Sequence, residues 1–359
     1  MQLLSRGIES RYLNGRPKFS PYVKKYEKYL PFGVDTTEIP VDARFGMTTS
    51  GAVYTAYIAN DTCDMILDAH LVLTWAAKEV KQQLPQDSPH AFVDFVEVKV
   101  GGQVLSRWNG ELLTCYEDIT RDPVTYTVDD YLAGKHVDYG GNVTQDIRRG
   151  GEFAYRIPLL GNKIQDAFPL CALRHHSLEV RIGVSDAVKR TGTCVGSVRI
   201  RGAYLSGIHR KRFAEYPLHY TFTMPSRHEL YLDTAFMRIK NPVYAACLCV
   251  RSNDTSRLDF KRCVTEFSIS LGGSKLFTHV NVLDEYQHAK AFSRYPVRWK
   301  FFGRDLNDPK GAINFSRFSE QSYTALTDGS EGDGASKILY TLAWQLIIFK
   351  DGLAGIPYQ

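Results

Sequence analysis

Three groups of residues in this sequence are of types that could do chemistry. His175 and His176 stand side by side in "RHHSLEV" and offer imidazoles to a metal ion. Cys247 and Cys249 form a C-x-C in "AACLCV". Glu117, Asp118 and Asp122 cluster in "CYEDITRD", the kind of carboxylates that pair for general acid–base work. Spacing argues against each. Adjacent strand residues point to opposite faces, so the two imidazoles cannot easily share one ion. A zinc site would want a second paired set of cysteines, which Cys263 alone does not supply. An acid–base pair needs two carboxylates held at a set separation, and a cluster in a polar connection does not show that. The "GK" of "YLAGKHVDYGG" lacks the rest of a phosphate-binding loop, and "RHEL" stops short of HExxH. No catalytic, cofactor-binding or metal-binding residue is therefore assigned, and the chain is not expected to be an enzyme.

The elements that hold these residues are more informative. "VEVKVGGQVL" begins at Val96 and "FSISLGGSKL" at Phe267. The two share one pattern at a constant shift of 171 residues: Val96, Val98 and Val100 fall on Phe267, Ile269 and Leu271, and Gly101 and Gly102 on Gly272 and Gly273. Alternation with period two is a half-buried strand, and Gly-Gly after it is a turn needing positive φ. Two such units so far apart suggest two copies of one domain, with these four glycines at matching corners.

Size and composition allow it. The 359 residues suffice for two domains, each with its own core. Apolar content of 44% and charged content of 23% describe a folded protein, and 21 Tyr and 19 Phe lean it toward β structure. No run approaches the roughly 18 apolar residues of a membrane span. Charged residues near the start argue against a signal peptide. Seven cysteines, odd in number and scattered among apolar strands, read as buried free thiols of a reducing compartment.

The net charge of +5 is localised. Arg6, Arg11, Arg16, Lys18, Lys24, Lys25 and Lys28 face only Glu9 and Glu27 within the first thirty residues, which accounts for the whole excess. Such an arm suits an acidic surface, nucleic acid or anionic lipid, or a neighbouring subunit on which its interleaved aromatics pack.

Along the chain, residues 1–40 read as the basic arm, 41–210 as a first β domain and 211–359 as a second. Short strands with frequent turn signals fill both domains. "LTWAAKEVKQQL" is the best helix candidate, and a longer polar connection runs from about Tyr116 to Glu152. "SGIHRKRFAEYP" reads as the junction, and "NPVYAACLCV" as a buried strand. The fold class expected is all-β, two sandwiches in tandem.

Specific strings then carry a resemblance. "FVEVKVGGQVLSRWNGELLTCYEDIT", "RIPLLGNKIQDAFPLCALRHHSLEVRI", "NPVYAACLCV", "GAINFSRFS" and "GLAGIPYQ" resemble, in order, segments of the major capsid proteins of large nucleocytoplasmic DNA viruses and related double-stranded DNA viruses. "FSPYVKKYEKYLPF" is similar to the opening of that family. The resemblance implies a double jelly roll, two eight-stranded sandwiches in one chain. It implies a homotrimer of pseudo-hexagonal outline, tiling an icosahedral shell beside neighbouring capsomers and minor capsid or penton proteins. It implies a place in the virion, assembled inside the host cell, with the arm as a candidate for inner-shell contact with nucleic acid or membrane. Asn314, Ser316 and Arg317 of "NFSRF" are candidates for polar contacts that lock a corner. A minor capsid or scaffold protein of the same fold is the related alternative. A glycan-binding β-sandwich or cupin-like enzyme is the alternative from another class.

Overall fold

The computed structural model describes residues 31–42, 46–75, 92–120, 136–137, 143–144, 151–159, 167–186, 194–230, 232–251, 264–279, 297–303, 311–329 and 335–357. The seven cations of the arm, Cys263 and Asp122 lie outside these residues.

The first half contains β1 (Phe32–Pro40), β2 (Val53–Ile58), β3 (Met65–Trp75), β4 (Val93–Val100), β5 (Gln103–Asn109), helix α1 (Gly110–Thr120), a small hairpin of β6 (His136–Val137) and β7 (Val143–Thr144), β8 (Gly151–Arg156), β9 (Leu178–Val184) and β10 (Cys194–Leu205). Helix α2 (Gly207–Glu215) connects to the second half. There follow β11 (Leu218–Leu230), β12 (Thr234–Phe236), β13 (Pro242–Arg251), β14 (Val264–Leu271), β15 (Ser274–His279), β16 (Arg298–Phe301), β17 (Ile313–Asn314), β18 (Gln321–Thr327), β19 (Ser336–Lys350) and β20 (Leu353–Gly355).

The sheets repeat one wiring. The first half forms β1-β10-β3-β8 and β2-β9-β4-β5. The second forms β11-β19-β13-β16 and β12-β18-β14-β15, with β17 added on β13 and β20 on β19. Matching β1–β5 with β11–β15, and β8, β9 and β10 with β16, β18 and β19, turns one pair of sheets into the other. In every sheet a late strand lies between two early ones, β10 between β1 and β3, β9 between β2 and β4, β19 between β11 and β13, and β18 between β12 and β14, which is the jelly-roll connection. Both sandwiches belong to one compact unit, Gly33–Gln359.

Alternation explains which residues face inward. Val96, Val98 and Val100 of β4 lie in the first core with Leu71, Ile182, Val198 and Ile200. Phe267, Ile269 and Leu271 of β14 lie in the second with Tyr323, Leu339 and Val250. The run "PVYAACLCV" of β13 does not alternate, because both its faces are covered. Ala246, Leu248 and Val250 enter the second core, whereas Ala245, Cys247 and Cys249 join the core of the first sandwich.

Three local readings of the sequence are corrected. The start of the expected polar connection, Tyr116–Thr120, is the last part of helix α1 (Gly110–Thr120), since Leu112, Leu113, Cys115, Tyr116 and Ile119 give that helix an apolar stripe. The "LTW" of the expected helix completes β3, where each residue has a partner on β10; the rest of that segment lies outside the described residues. Phe32–Pro40, read as the end of the arm, is a strand paired with β10.

The Gly-Gly turns join β4 to β5 and β14 to β15. Their φ values are +57° and +81° at Gly101 and Gly102, and +57° and +78° at Gly272 and Gly273. Each first glycine donates its N–H to the residue preceding an equivalent strand, Gly101 to Ser177 O at 3.0 Å and Gly272 to Glu320 O at 2.9 Å. A Cβ on Gly101 would lie 2.5 Å from the His176 ring, while one on Gly102 would meet nothing within 4 Å. Gly102→Ala should therefore cost about 1 kcal/mol, the penalty of positive φ alone. Gly101→Ala should cost about 2–3 kcal/mol, because the ring must also move. Urea unfolding of the two variants reads the difference.

Candidate functional site

The sheet β11-β19-β13-β16 covers the second core with one face and the first sandwich with the other. That second contact is the seam of the molecule, and a carboxylate, two guanidinium groups, a phenol and three thiols gather there. Helix α1 starts directly after β5 and delivers them. Thr114 Oγ1 donates to Gly110 O at 2.9 Å within its first turn.

Glu111 reaches from α1 into the second sandwich. One carboxylate oxygen pairs with the Arg251 guanidinium, and the other accepts from the Tyr340 hydroxyl at 2.7 Å. Arg227 lies opposite Tyr340 across β11 and β19 and hydrogen-bonds to its side chain. Side-chain exposure is 12% for Glu111 and 24% for Arg251, so both charges are largely out of water and need each other. Burial, followed by the nearby Glu111 charge, pushes the Tyr340 phenol well above its usual range.

Aromatic rings fill the rest. Tyr116 of α1 sits 4.9 Å from Trp108. Tyr244 stacks on Trp344 at 4.4 Å, and its hydroxyl lies 3.2 Å from Thr223 Oγ1. Phe168 meets Phe349 edge-on at 5.3 Å. Trp299 and Phe301 of β16 stack at 5.5 Å. Trp299 is buried in the core that the sandwiches share.

The C-x-C lies in the same seam. Cys247 and Cys249 share a face of β13 with their sulfurs 3.6 Å apart, and Cys115 of α1 hydrogen-bonds to both. All three are unbridged thiols, as are Cys63, Cys171 and Cys194. Among the described residues, no group of three or more His, Cys, Asp or Glu is arranged to hold a metal ion. Burial raises the Cys247 thiol well above its normal range. It likewise moves Cys63 up to about 12, Cys171 to about 11 and Cys194 to about 12.

The two histidines part company. His175 is exposed, while His176 Nδ1 accepts from Ala354 N at 3.2 Å, which leaves its proton on Nε2. The backbone N–H groups of Arg174 and His175 both donate to Gly352 O, at 2.9 and 3.0 Å. Gly352 has φ +79°, and a Cβ there would lie 2.9 Å from Arg174 Cβ. Ile356 N donates to Gln103 Oε1 at 3.4 Å. The segment after β19 thus clasps the first sandwich beside its Gly-Gly turn.

In "NFSRF", Asn314 Oδ1 accepts from Ser316 N at 3.1 Å and from Ser316 Oγ at 2.6 Å. These two contacts are internal to the chain. Arg317 is exposed. Gln321, which sequence reasoning missed, holds this corner. Its Nε2 donates to the carbonyls of Ile239, Phe315 and Phe318, and its Oε1 accepts from Ile239 N at 2.7 Å. A glutamine in phase with Tyr323 and Ala325, the inward residues of β18, was the available signal. Glu111 and Arg251 had no comparable signal, because nothing in their local sequence marks them as partners.

Removing one member of the seam pair strands the other, so Glu111→Ala should cost about 3 kcal/mol. Tyr340→Phe, which removes the hydroxyl's bonds to Glu111 and Arg227, should cost about 2 kcal/mol. Chemical unfolding monitored by tryptophan fluorescence measures both. A thiol-specific reagent should modify at most one of the seven cysteines in the native protein and all seven in denaturant, because the six described thiols are buried.

No family model matches the chain. The chain is 23% identical over 226 residues to the major capsid protein of Pyramimonas orientalis virus, a match over 60% of this chain and 55% of that protein. It thus spans about half the length of this curated relative. Among solved structures, VP54 of PBCV-1, fitted into a reconstruction of the virophage Sputnik, superposes with a TM-score of 0.75 at 14% identity, over 94% of this chain and 99% of that one. The Faustovirus major capsid protein gives 0.67 at 7% identity, over 93% of each chain. The mavirus major capsid protein gives 0.55 at 10% identity, over 99% of this chain and 96% of that one. With two sandwiches of one wiring and these neighbours, the chain has the double jelly-roll fold of the major capsid proteins of large DNA viruses.

Proposed function

We propose that this chain is a structural protein of a viral capsid. It assembles as a homotrimer of pseudo-hexagonal outline that tiles an icosahedral shell. One observation carries the reading. The same eight-stranded wiring occurs twice and is fused by a buried seam, so three chains present six similar units around one axis. The sequence likeness to a major capsid protein supports the same reading. The role is burial of surface between copies, not turnover of a substrate. The arm (residues 1–40, which include β1), the first roll (41–210) and the second (211–359) then have separate tasks, and α2 spans the junction of the rolls. The rolls build the wall. The seven cations of the arm face acidic material inside the shell or clamp a neighbour. Neighbouring capsomers and minor capsid or penton proteins are its further partners.

Size-exclusion chromatography with light scattering, followed by negative-stain imaging, tests this. The expected species has three times the mass of the chain and shows a three-lobed ring with a hexagonal outline. A monodisperse single chain at micromolar concentration overturns it.

A further inference from the structure

Three thiols meet across the seam, two from the second roll and one from the first. Cys247 and Cys249 stand on one face of β13 with their sulfurs 3.6 Å apart, and Cys115 of α1 hydrogen-bonds to both. All three are buried and unbridged. As packing alone, a thiol acts as a small apolar group. Thiols in contact can also join.

The ion pair beside them sets which two are level. Glu111 and Cys115 lie one helical turn apart on α1, a rise of about 6 Å. Arg251 and Cys249 lie two residues apart on β13, a rise of about 6.6 Å. With Glu111 fixed on Arg251, Cys115 is carried to the height of Cys249. Cys247 and Cys249 are the poorer pair. Two positions on one strand face keep their Cβ atoms about 6.6 Å apart, whereas a disulfide needs about 3.5–4.5 Å. Side chains that approach from opposite sides of a seam have no such limit. The electronics favour Cys249 as the reacting sulfur. Burial raises its thiol, but the hydrogen bonds from Cys115 and Cys247 outweigh that and hold it below the usual range.

We infer that Cys115 and Cys249 form an oxidative modification site, at which a peroxide converts the two thiols into a disulfide that ties the first roll to the second. The Cys249 sulfur attacks one peroxide oxygen, the O–O bond breaks, and the sulfur becomes a sulfenic acid. The other oxygen leaves as water, taking the proton that Cys249 gave up. The Cys115 sulfur then attacks the sulfenic sulfur, the S–O bond breaks, and the hydroxyl leaves as a second water with the Cys115 proton. Each sulfur loses one electron, and the peroxide gains both. Peroxide is close to water in size and reaches the seam through brief local openings that exclude larger thiol reagents, so the reaction is slow. The proposed role gives it an occasion, since a capsid chain folds in a reducing cell and then persists outside it. The bond lies within one chain, so it goes beyond the assembly reading and does not depend on it.

The test uses the full chain, reduced, freed of reductant and kept in dilute hydrogen peroxide. Remaining thiols are blocked in denaturant, and tryptic peptides are mapped by mass spectrometry without reduction. The expected product links residues 108–121 to residues 241–251. The urea midpoint should rise by about 0.5–1 M on oxidation and fall back with dithiothreitol. Comparing the oxidised and reduced forms of one variant removes the effect of the substitution itself. Cys115→Ser and Cys249→Ser should abolish the rise, and Cys247→Ser should keep it. The inference is overturned if the native wild type yields no such link, if the bond formed joins Cys247 to Cys249 instead, or if the link and the rise survive in Cys249→Ser. The peptide map of the wild type decides the first two even where a variant fails to fold.

Discussion

The constraint on which the structure depends is that the β11-β19-β13-β16 sheet is apolar on both faces. A sandwich buries only the inner face of each sheet. Leu248 and Val250 enter the second core, but Cys247 and Cys249 alternate with them and point the other way. Ile338, Tyr340 and Leu342 on β19 do the same opposite Leu339. Left open, that outer face would be a continuous apolar surface of a size that soluble monomers avoid. The first sandwich covers it, so the two rolls share one core and neither is complete without the other.

Much of this was legible in the sequence, and the reason differs from part to part. The paired Gly-Gly strands were readable because a turn with two positive φ values restricts residue type and a half-buried strand restricts polarity, so Val96–Gly102 and Phe267–Gly273 kept a common form. The unbroken run of β13 announced burial but not on what. The α1 stripe was hidden because its acidic residues, Glu117 and Asp118, made "CYEDIT" read as solvated. Glu111 and Arg251 stand 140 residues apart, and a pair that meets only through the fold leaves no local pattern. The same holds for His176 and Ala354, 178 residues apart.

Equivalent corners of the two rolls reach the same end by different residues. Gly101 and Gly272 have the same φ and the same backbone hydrogen bond. Below Gly101 lies the His176 ring, and beside Gly272 lies Phe318 at 3.4 Å from where its Cβ would be. One corner is closed by the strand after β19 and the other by the Gln321 network. The backbone task was kept while the packing diverged, as expected when each copy answers to its own neighbours. His176 belongs to the seam side of the first roll, and Phe318 to the second core alone.

A charged group in an otherwise apolar seam needs a physical account, since hydrophobic side chains of similar volume would often give equal or greater stability. Cysteine, phenylalanine and leucine contacts are non-directional, and two sandwiches joined only by them could slide by a residue at small cost. The Glu111 carboxylate accepts from Arg251 on β13 and from Tyr340 on β19 at once, and both bonds are lost by a shift of one residue along either strand. The pair thus selects one register of roll upon roll. Burial supplies the adhesion, and the carboxylate, together with the clasp of the segment after β19 on the first roll, supplies the alignment. Two rolls held out of register would leave part of the apolar outer face of β13 and β19 uncovered, so the alignment protects the burial on which both rolls depend.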